Sequence, residues 1–487
     1  VFNKQILIIG GGTAGWMTAS LLAKQWPQAD ITLIESPNIP TVGVGEGSTP
    51  YIRHLFKTLD ISEAQWMSKC NATFKNGITF KHWSIRKGFE SYFHPFLSQY
   101  DDDVTPLFAQ HTRLRRHGYP ITCHPDNYYL TKELTNQRKS CQLQDSSNPV
   151  ETLYAYHFDA EKLGLLLKEK SLALGVNHLL GNISQVKQAE NGDIASVVSD
   201  EQGELSADIF VDCTGFKALL MQKTLNTPFV SYSDNLFNDS AVAIASPKID
   251  NYSPQTVSTA LSNGWAWHIP LQNRVGNGYV YSAKYQTADS AEQELRHFIG
   301  QDRVKDVEAR HIKMRVGRSE KHWNKNCLAV GLSQGFIEPL EATALHLVQD
   351  TIESFIAAIE EGKGTTAKQD YFNDKINYAF ERVRDYIVTH YISNSRNDTP
   401  YWQDCRKIPV SDSLQRILYA WFNGMDVAEE LDLQQISQYY PSASWHALLA
   451  GVGTFPEPDP SKTETFANEI QQIQHRRDEL AKLFKNL

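Results

Sequence analysis

Cysteine is scarce in this chain and scattered where it occurs. The six residues, Cys70, Cys123, Cys141, Cys213, Cys327 and Cys405, include no Cys-x-x-Cys pair. That excludes a thiolate zinc ribbon and a dithiol redox motif, and it suits a reducing compartment. Long apolar runs are missing too. Segment 5–12 is apolar but far below the roughly 20 residues a membrane helix needs, so no membrane association is expected. No run of lysine and arginine tracks a phosphate backbone, and the net charge is −9, which argues against a nucleic-acid partner. Nothing at the start reads as a signal peptide, and a cytoplasmic location is the expectation. Internal repeats and low-complexity tracts are also lacking.

What is present is an ordinary globular composition, 41% hydrophobic and 21% charged over 487 residues, long enough for two or three packed modules. Residues 5–9 form an apolar, β-branched run of the kind buried on both faces of a parallel sheet. Gly10-Gly11-Gly12-Thr13-Ala14-Gly15 follows, then a helical pattern over 16–25 and a second strand over 31–35 ending in Glu35. This β-α-β unit carries a G-x-G-x-x-G fingerprint in the context that gives it meaning. Gly10 permits the tight turn, Gly12 lets the backbone approach a pyrophosphate, and Gly15 allows close strand–helix packing. Thr13 and Ala14 open the helix, whose N-terminus offers unpaired N–H groups to phosphates. Glu35 is placed to accept from a ribose hydroxyl. A glycine turn without a ligand is the plain alternative. The apolar run 208–212, ending in Asp212-Cys213-Thr214-Gly215, resembles the second flavin segment of two-dinucleotide-fold flavoproteins and favours FAD over NAD.

Further along, the polar, aromatic and proline-rich stretch 88–149 reads as loops and short strands. Residues 157–174 read as helical. Residues 183–212 give three strand-like runs separated by turns at Asn191-Gly192-Asp193 and Glu201-Gln202-Gly203. Helical spacing recurs over 341–361 and 371–391, and 461–487 reads as a charged surface helix.

Eight blocks then point to one family: GGGTAGW (10–16), GVGEGSTP (43–50), CNATFK (70–75), HFDA (157–160), WAWHIP (265–270), RVGR (315–318), EPLEAT (338–343) and DTPYW (398–402). The chain resembles the flavin-dependent tryptophan halogenases, from about residue 5 to 405. The resemblance implies an α/β fold: an FAD-binding, Rossmann-like module of the flavin monooxygenase type, with an added, mostly helical module covering the substrate. We expect the first over 1–395, with substrate-side insertions near 85–150 and 225–300, and the second over 396–487.

In this family reduced FAD and oxygen convert a bound halide to hypohalous acid, which a lysine delivers to an electron-rich ring. The motif match places that lysine at Lys75. A primary amine can hydrogen-bond hypohalous acid or form a haloamine, and burial favours its neutral form, although most single lysines are merely solvated. Glu341 matches the carboxylate that stabilises the ring cation and helps accept its proton. Glu338 competes for that role, and an acidic helix start is the plain reading of both. The backbone N–H groups of Thr343 and Ala344 match a chloride or bromide site. Many relatives have glycine at the position of Ala344, which retains the N–H. Gly45, Ile183, Asp212, Gly215 and Leu332 complete the cofactor set. Trp265 and Trp267 match a wall between flavin and substrate, though two tryptophans on one strand face also suit plain packing. His94 and Phe96 match positions that sandwich an indole.

The chain departs from the family after Tyr439 and Tyr440, which correspond to a tyrosine pair gripping the amino-acid end of tryptophan. The glutamate-bearing stretch that should follow is missing, and Pro441-Ser442-Ala443-Ser444-Trp445 comes directly after the pair. An indole derivative, indole itself or a larger peptide-like arene fits a shorter lid better than free tryptophan does. The resemblance also implies a separate NAD(P)H-dependent flavin reductase, since no second dinucleotide fingerprint is present, and a homodimer is carried as a candidate assembly. An FAD-dependent aromatic monooxygenase and a flavoprotein without turnover remain as alternatives.

Overall fold

Four of the five residues of strand Gln5–Ile9 are buried, because the strand lies inside a sheet with neighbours on both edges. Ile6 pairs with Ile209 on one side and Ile31 on the other, both in parallel. The six-stranded sheet runs Trp323–Asn324, Cys327–Ala329, Ile209–Asp212, Gln5–Ile9, Asp30–Glu35, Asn177–Leu180, and only its first pairing is antiparallel. The computed structural model describes residues 2–38, 45–145 and 152–487. Gly43 and Val44 of the GVGEGSTP block lie outside them, as does part of the 88–149 stretch.

The described chain resolves into two compact units woven from alternating segments. The first comprises Val1–Ala72, Phe158–Ser233 and Lys313–Glu381; the second comprises Thr73–His157, Asp234–Ile312 and Arg382–Leu487. The substrate-side insertions near 85–150 and 225–300 fall almost wholly in the second unit. The helical residues 396–487 belong to that same unit, together with both insertions, and do not stand apart as a module.

In the first unit, helix Thr13–Gln25 returns the chain from the glycine turn, and Pro27 follows its end, as expected where a proline cannot continue a helix. Leu7, Ile9, Ile34, Phe210, Leu220 and Cys327 form a core with Ile194 and Val197. The last two come from an antiparallel sheet of Ile183–Gln188, Ile194–Ser199 and Gly203–Ser206. The third predicted run is therefore two strands. Gly203–Ser206 closes the small sheet, and Ile209–Asp212 crosses to the large one.

The second unit is built on a seven-stranded sheet in the order Arg310–Lys313, Ser240–Pro247, Arg274–Tyr281, Gly264–Pro270, Thr256–Leu261, Gly77–Lys81, Ser91–Pro95. Its pairings are antiparallel except that of Thr256–Leu261 with Gly77–Lys81. The stretch read as loops contains two helices, Val104–Arg116 and Leu130–Asn136. Buried polar groups such as His111 and Thr112, held by Tyr128 and His446, had masked their periodicity.

Two further boundaries differ from expectation. Residues 155–159 are strand, and the helix begins at Ala160 because the Asp159 carboxylate caps the N–H of Lys162. The terminal segment is helical only over Ala467–Ala481, with Ile470, Ile473 and Arg477 buried, and it ends in strand Phe484–Asn486 paired with Lys139–Leu143.

Candidate active site

The glycines after strand Gln5–Ile9 divide into two kinds. A Cβ on Gly10, whose φ is +112°, would sit 2.2 Å from the Cys213 carbonyl oxygen, and one on Gly15 would sit 1.9 Å from that of Gly10. Gly11 lies against the Glu35 carboxylate. These three are required by the protein's own packing. A Cβ on Gly12 would meet no protein atom within 4 Å, and the same holds for Gly215 in the facing turn. Glycine at position 12 fits close approach of the backbone to a ligand, whereas Gly215, at φ +67°, is favoured by its left-handed backbone as well.

The turns that follow three neighbouring parallel strands converge here. Thr13 Oγ1 donates to the Ala160 carbonyl at 3.3 Å. Ala14 packs against Gly331, which brings the 331–333 turn and half-buried Leu332 beside the glycine loop. Glu35, at the end of its strand, meets Lys168 Nζ at 2.9 Å and His178 Nε2 at 2.8 Å through Oε1. Its Oε2 is turned toward Gly11.

Asp212 is engaged within the chain. Its carboxylate accepts from the N–H and hydroxyl of Thr214 at 3.0 and 2.7 Å, and from the N–H groups of Leu220 and Met221 at 2.8 and 2.9 Å. Burial raises its pKa and these donors oppose the rise. Both carboxylate oxygens of Asp212 thus hold the 213–221 turn, beside which the cofactor contact is expected. Ile183 is half-buried against the Leu7–Ile9 core. Gly45 opens the short strand Gly45–Gly47. Beside it, half-buried Glu46 has its pKa pushed up to about 7 by burial first and by Asp159 second.

Helix 341–361 was expected to start at Glu341, but it starts at Ala344. Ala342 takes a left-handed conformation, φ +57°, and its N–H bonds the Pro339 carbonyl in a turn. Glu338 and Glu341 are therefore buried turn residues, and attraction to a helix dipole does not account for them. No side chain caps this helix, so the amides of Thr343 and Ala344 stand at its head, where N–H groups lack intrahelical partners.

The expected substrate-side residues all lie in the second unit. Lys75 ends strand Thr73–Lys75 and is 0% exposed, with Nζ 5.5 Å from the centre of the Phe96 ring. His94 is buried with its ring 6.1 Å from that of Tyr386. Trp265 and Trp267 are neighbours on one face of Gly264–Pro270, rings 6.2 Å apart, and Gly278 on the adjacent strand leaves room for the second indole. Among the described residues Trp267 Nε1 has no hydrogen-bond partner.

Tyr440 stacks on Tyr386 at 3.8 Å and 10°, Trp445 meets Tyr386 edge-on, and helix Ser442–Gly451 begins two residues later. Tyr439 is half-buried. Tyr386 was missed by sequence reading, since one tyrosine within a helical run carries no signal of its own. The surroundings of His157 were missed as well. Its Nδ1 lies 3.1 Å from Thr73 Oγ1 and its Nε2 2.9 Å from Thr256 Oγ1.

Two outcomes follow. Gly12→Val should fold normally but lose FAD binding in a fluorescence titration, whereas Gly10→Val should unfold the protein; unchanged FAD affinity in Gly12→Val would contradict this geometry. Glu46 holds its proton more tightly when folded, so its contribution to stability falls as pH rises from about 4.5 to about 7. Glu46→Gln should melt above the wild type near about pH 8 and with it near about pH 4, by calorimetry.

Comparison with known proteins accords with these features. The tryptophan halogenase family profile matches residues 5–468. The tryptophan 6-halogenase SttH of Streptomyces toxytricini is 37% identical, over 94% of this chain and 93% of that protein. Its crystal structure superposes with a TM-score of 0.86, covering 99% of this chain and 98% of the other. The tryptophan 7-halogenase RebH of Lentzea aerocolonigenes is 34% identical, over 94% and 91%. The structure of MibH, a lanthipeptide tryptophan 5-halogenase, has a TM-score of 0.85 at 25% identity, covering 99% and 92%. With its flavin-type glycine loop and these relatives, the chain belongs to the tryptophan halogenase family and is a flavin-dependent halogenase.

Proposed function

We propose that the enzyme halogenates an indole-type arene with chloride or bromide, and that Lys75 delivers the halogen. The observation that carries this reading is a fully buried lysine held 5.5 Å from an aromatic ring on the strand where the family motif puts the delivering amine. Bound, reduced FAD supplies, with oxygen, the oxidising power that turns halide into hypohalous acid; a separate flavin reductase provides the reduced form. The Thr343 and Ala344 amides hold the halide. The Lys75 amine hydrogen-bonds hypohalous acid, or takes the halogen as a haloamine with loss of water, and presents it to the ring. As the carbon–halogen bond forms, the N–X or O–X bond breaks, and the ring cation loses its proton with help from the buried Glu341 carboxylate.

Lys75→Ala should still reoxidise reduced flavin while making no halogenated product, and Glu341→Gln should slow product formation by about 10²-fold. Normal halogenation by Lys75→Ala would remove the delivery role.

The substrate reading rests on the clamp. Tyr440 is stacked on Tyr386 and the next helix starts directly, which supports a site without the acidic grip for an α-ammonium group. A charged amino-acid backbone bound there would lose roughly 1–3 kcal/mol per unsatisfied group. Indole, or an indole lacking that backbone, should show higher kcat/KM than L-tryptophan. Without a clamp to orient the ring, attack should fall mainly at C3, its most nucleophilic carbon. Product regiochemistry by NMR checks this; tight tryptophan binding with clean benzo-ring halogenation would overturn it.

A further inference from the structure

His157 lies at the centre of a buried hydrogen-bond chain for which neither composition nor motif reading supplied a role. Thr73 Oγ1 donates to the Pro270 carbonyl at 2.6 Å. Its one proton is thereby committed, so toward His157 Nδ1, 3.1 Å away, it can only accept. Nδ1 therefore carries the imidazole proton. In the neutral ring Nε2 is then an acceptor, and the Thr256 hydroxyl donates to it across 2.9 Å. Each polar atom of the ring has one partner of the right kind, and a second proton at Nε2 would break the bond from Thr256.

The chain of bonds joins the elements that carry the site. Thr73 is two residues before Lys75 on the same strand, so their side chains share a face. Thr73 pairs with His157 and Lys75 with Ala155. Pro270 closes the strand of Trp265 and Trp267, and Thr256 opens the strand between that one and Gly77–Lys81. The charged and titratable neighbours of His157 are Lys75 and His268. Burial chiefly, then Lys75 and His268, hold His157 well below the usual histidine range. His268 is itself lowered by burial, against its bond to Asn277.

We propose that His157 is a positioning residue for Lys75: a neutral imidazole fixed between two threonine hydroxyls sets the strand that presents the amine and keeps a positive charge away from it. This rests on the delivery role proposed for Lys75. Thr73 fixes the tautomer, Thr256 holds Nε2, and burial keeps the ring neutral.

The test uses the full-length enzyme with FAD, a flavin reductase, bromide and indole, with the active fraction set by FAD titration. His157→Phe keeps a ring of similar size without either bond. It should bind FAD and reoxidise flavin as the wild type does, while product formed per flavin reoxidised falls about 10-fold or more, the scale on which a misplaced catalytic group loses rate. His157→Gln, which can donate and accept, should recover most of that loss. Thr256→Val removes only the bond to Nε2 and should lower product formed per flavin reoxidised by a smaller factor, with flavin reoxidation unchanged. Wild-type product yield in His157→Phe, no rescue by His157→Gln, or wild-type product yield in Thr256→Val would each overturn the proposal. Should His157→Phe fail to fold, the product yield of Thr256→Val per flavin reoxidised decides alone. A Lys75→Ala enzyme that still halogenates overturns the delivery role itself, whereas an inactive Lys75→Ala beside a fully coupled His157→Phe overturns only the role of His157.

Discussion

At the end of strand Ile209–Asp212 a buried carboxylate accepts hydrogen bonds from Thr214, Leu220 and Met221 of its own chain. Burying such a group without donors would be expensive, and with charge-assisted donors it becomes a strong local constraint. The path from 213 to 221 is fixed by it. That path brings the Cys213 carbonyl within reach of a residue at 10. The Ser333 hydroxyl bonds the Asp212 carbonyl, which draws in the turn carrying Leu332. The three turns that frame the candidate flavin site are thus tied to one residue, through its side chain and its backbone carbonyl.

Much of the first unit was legible in the sequence because its signals are local. A buried parallel strand, a glycine turn and a helix follow one another without interruption, and each residue type states its own constraint. Legibility failed where the determining interaction was distant. Asp212 reads as a ligand contact because its motif sits beside the cofactor in flavoproteins; its bonds to residues up to nine positions later, which hold the following turn, have no signature in the sequence. Glu341 reads as a helix start because apolar spacing continues behind it; a left-handed alanine at 342 postpones the helix to Ala344.

The second unit was harder to read for a different reason. Its helices bury polar and aromatic groups that satisfy one another, as His111 does with Tyr128, so the alternation of apolar and polar residues is blurred. The motifs CNATFK and HFDA were visible as identity markers, yet nothing in their spacing shows that Thr73 and His157 face each other across a strand pair. Missing residues proved informative: the direct step from Tyr440 to Pro441 agrees with the immediate start of helix Ser442–Gly451.

The weaving of the two units has a consequence for biogenesis. Strand Gln5–Ile9 must wait for Ile209–Asp212, and that strand in turn for Cys327–Ala329. At roughly 5–20 residues per second on the ribosome, the first of these delays lasts on the order of ten seconds or more. Throughout that interval an isoleucine-rich strand is synthesised but lacks one edge partner. Neither unit can close until its final segment has emerged, 313–381 for the first and 382–487 for the second. Such long-range closure makes folding slow relative to synthesis and exposes nascent apolar edges to aggregation. Translation rate and chaperone capacity should therefore affect the yield of active enzyme alongside the stability of the finished fold.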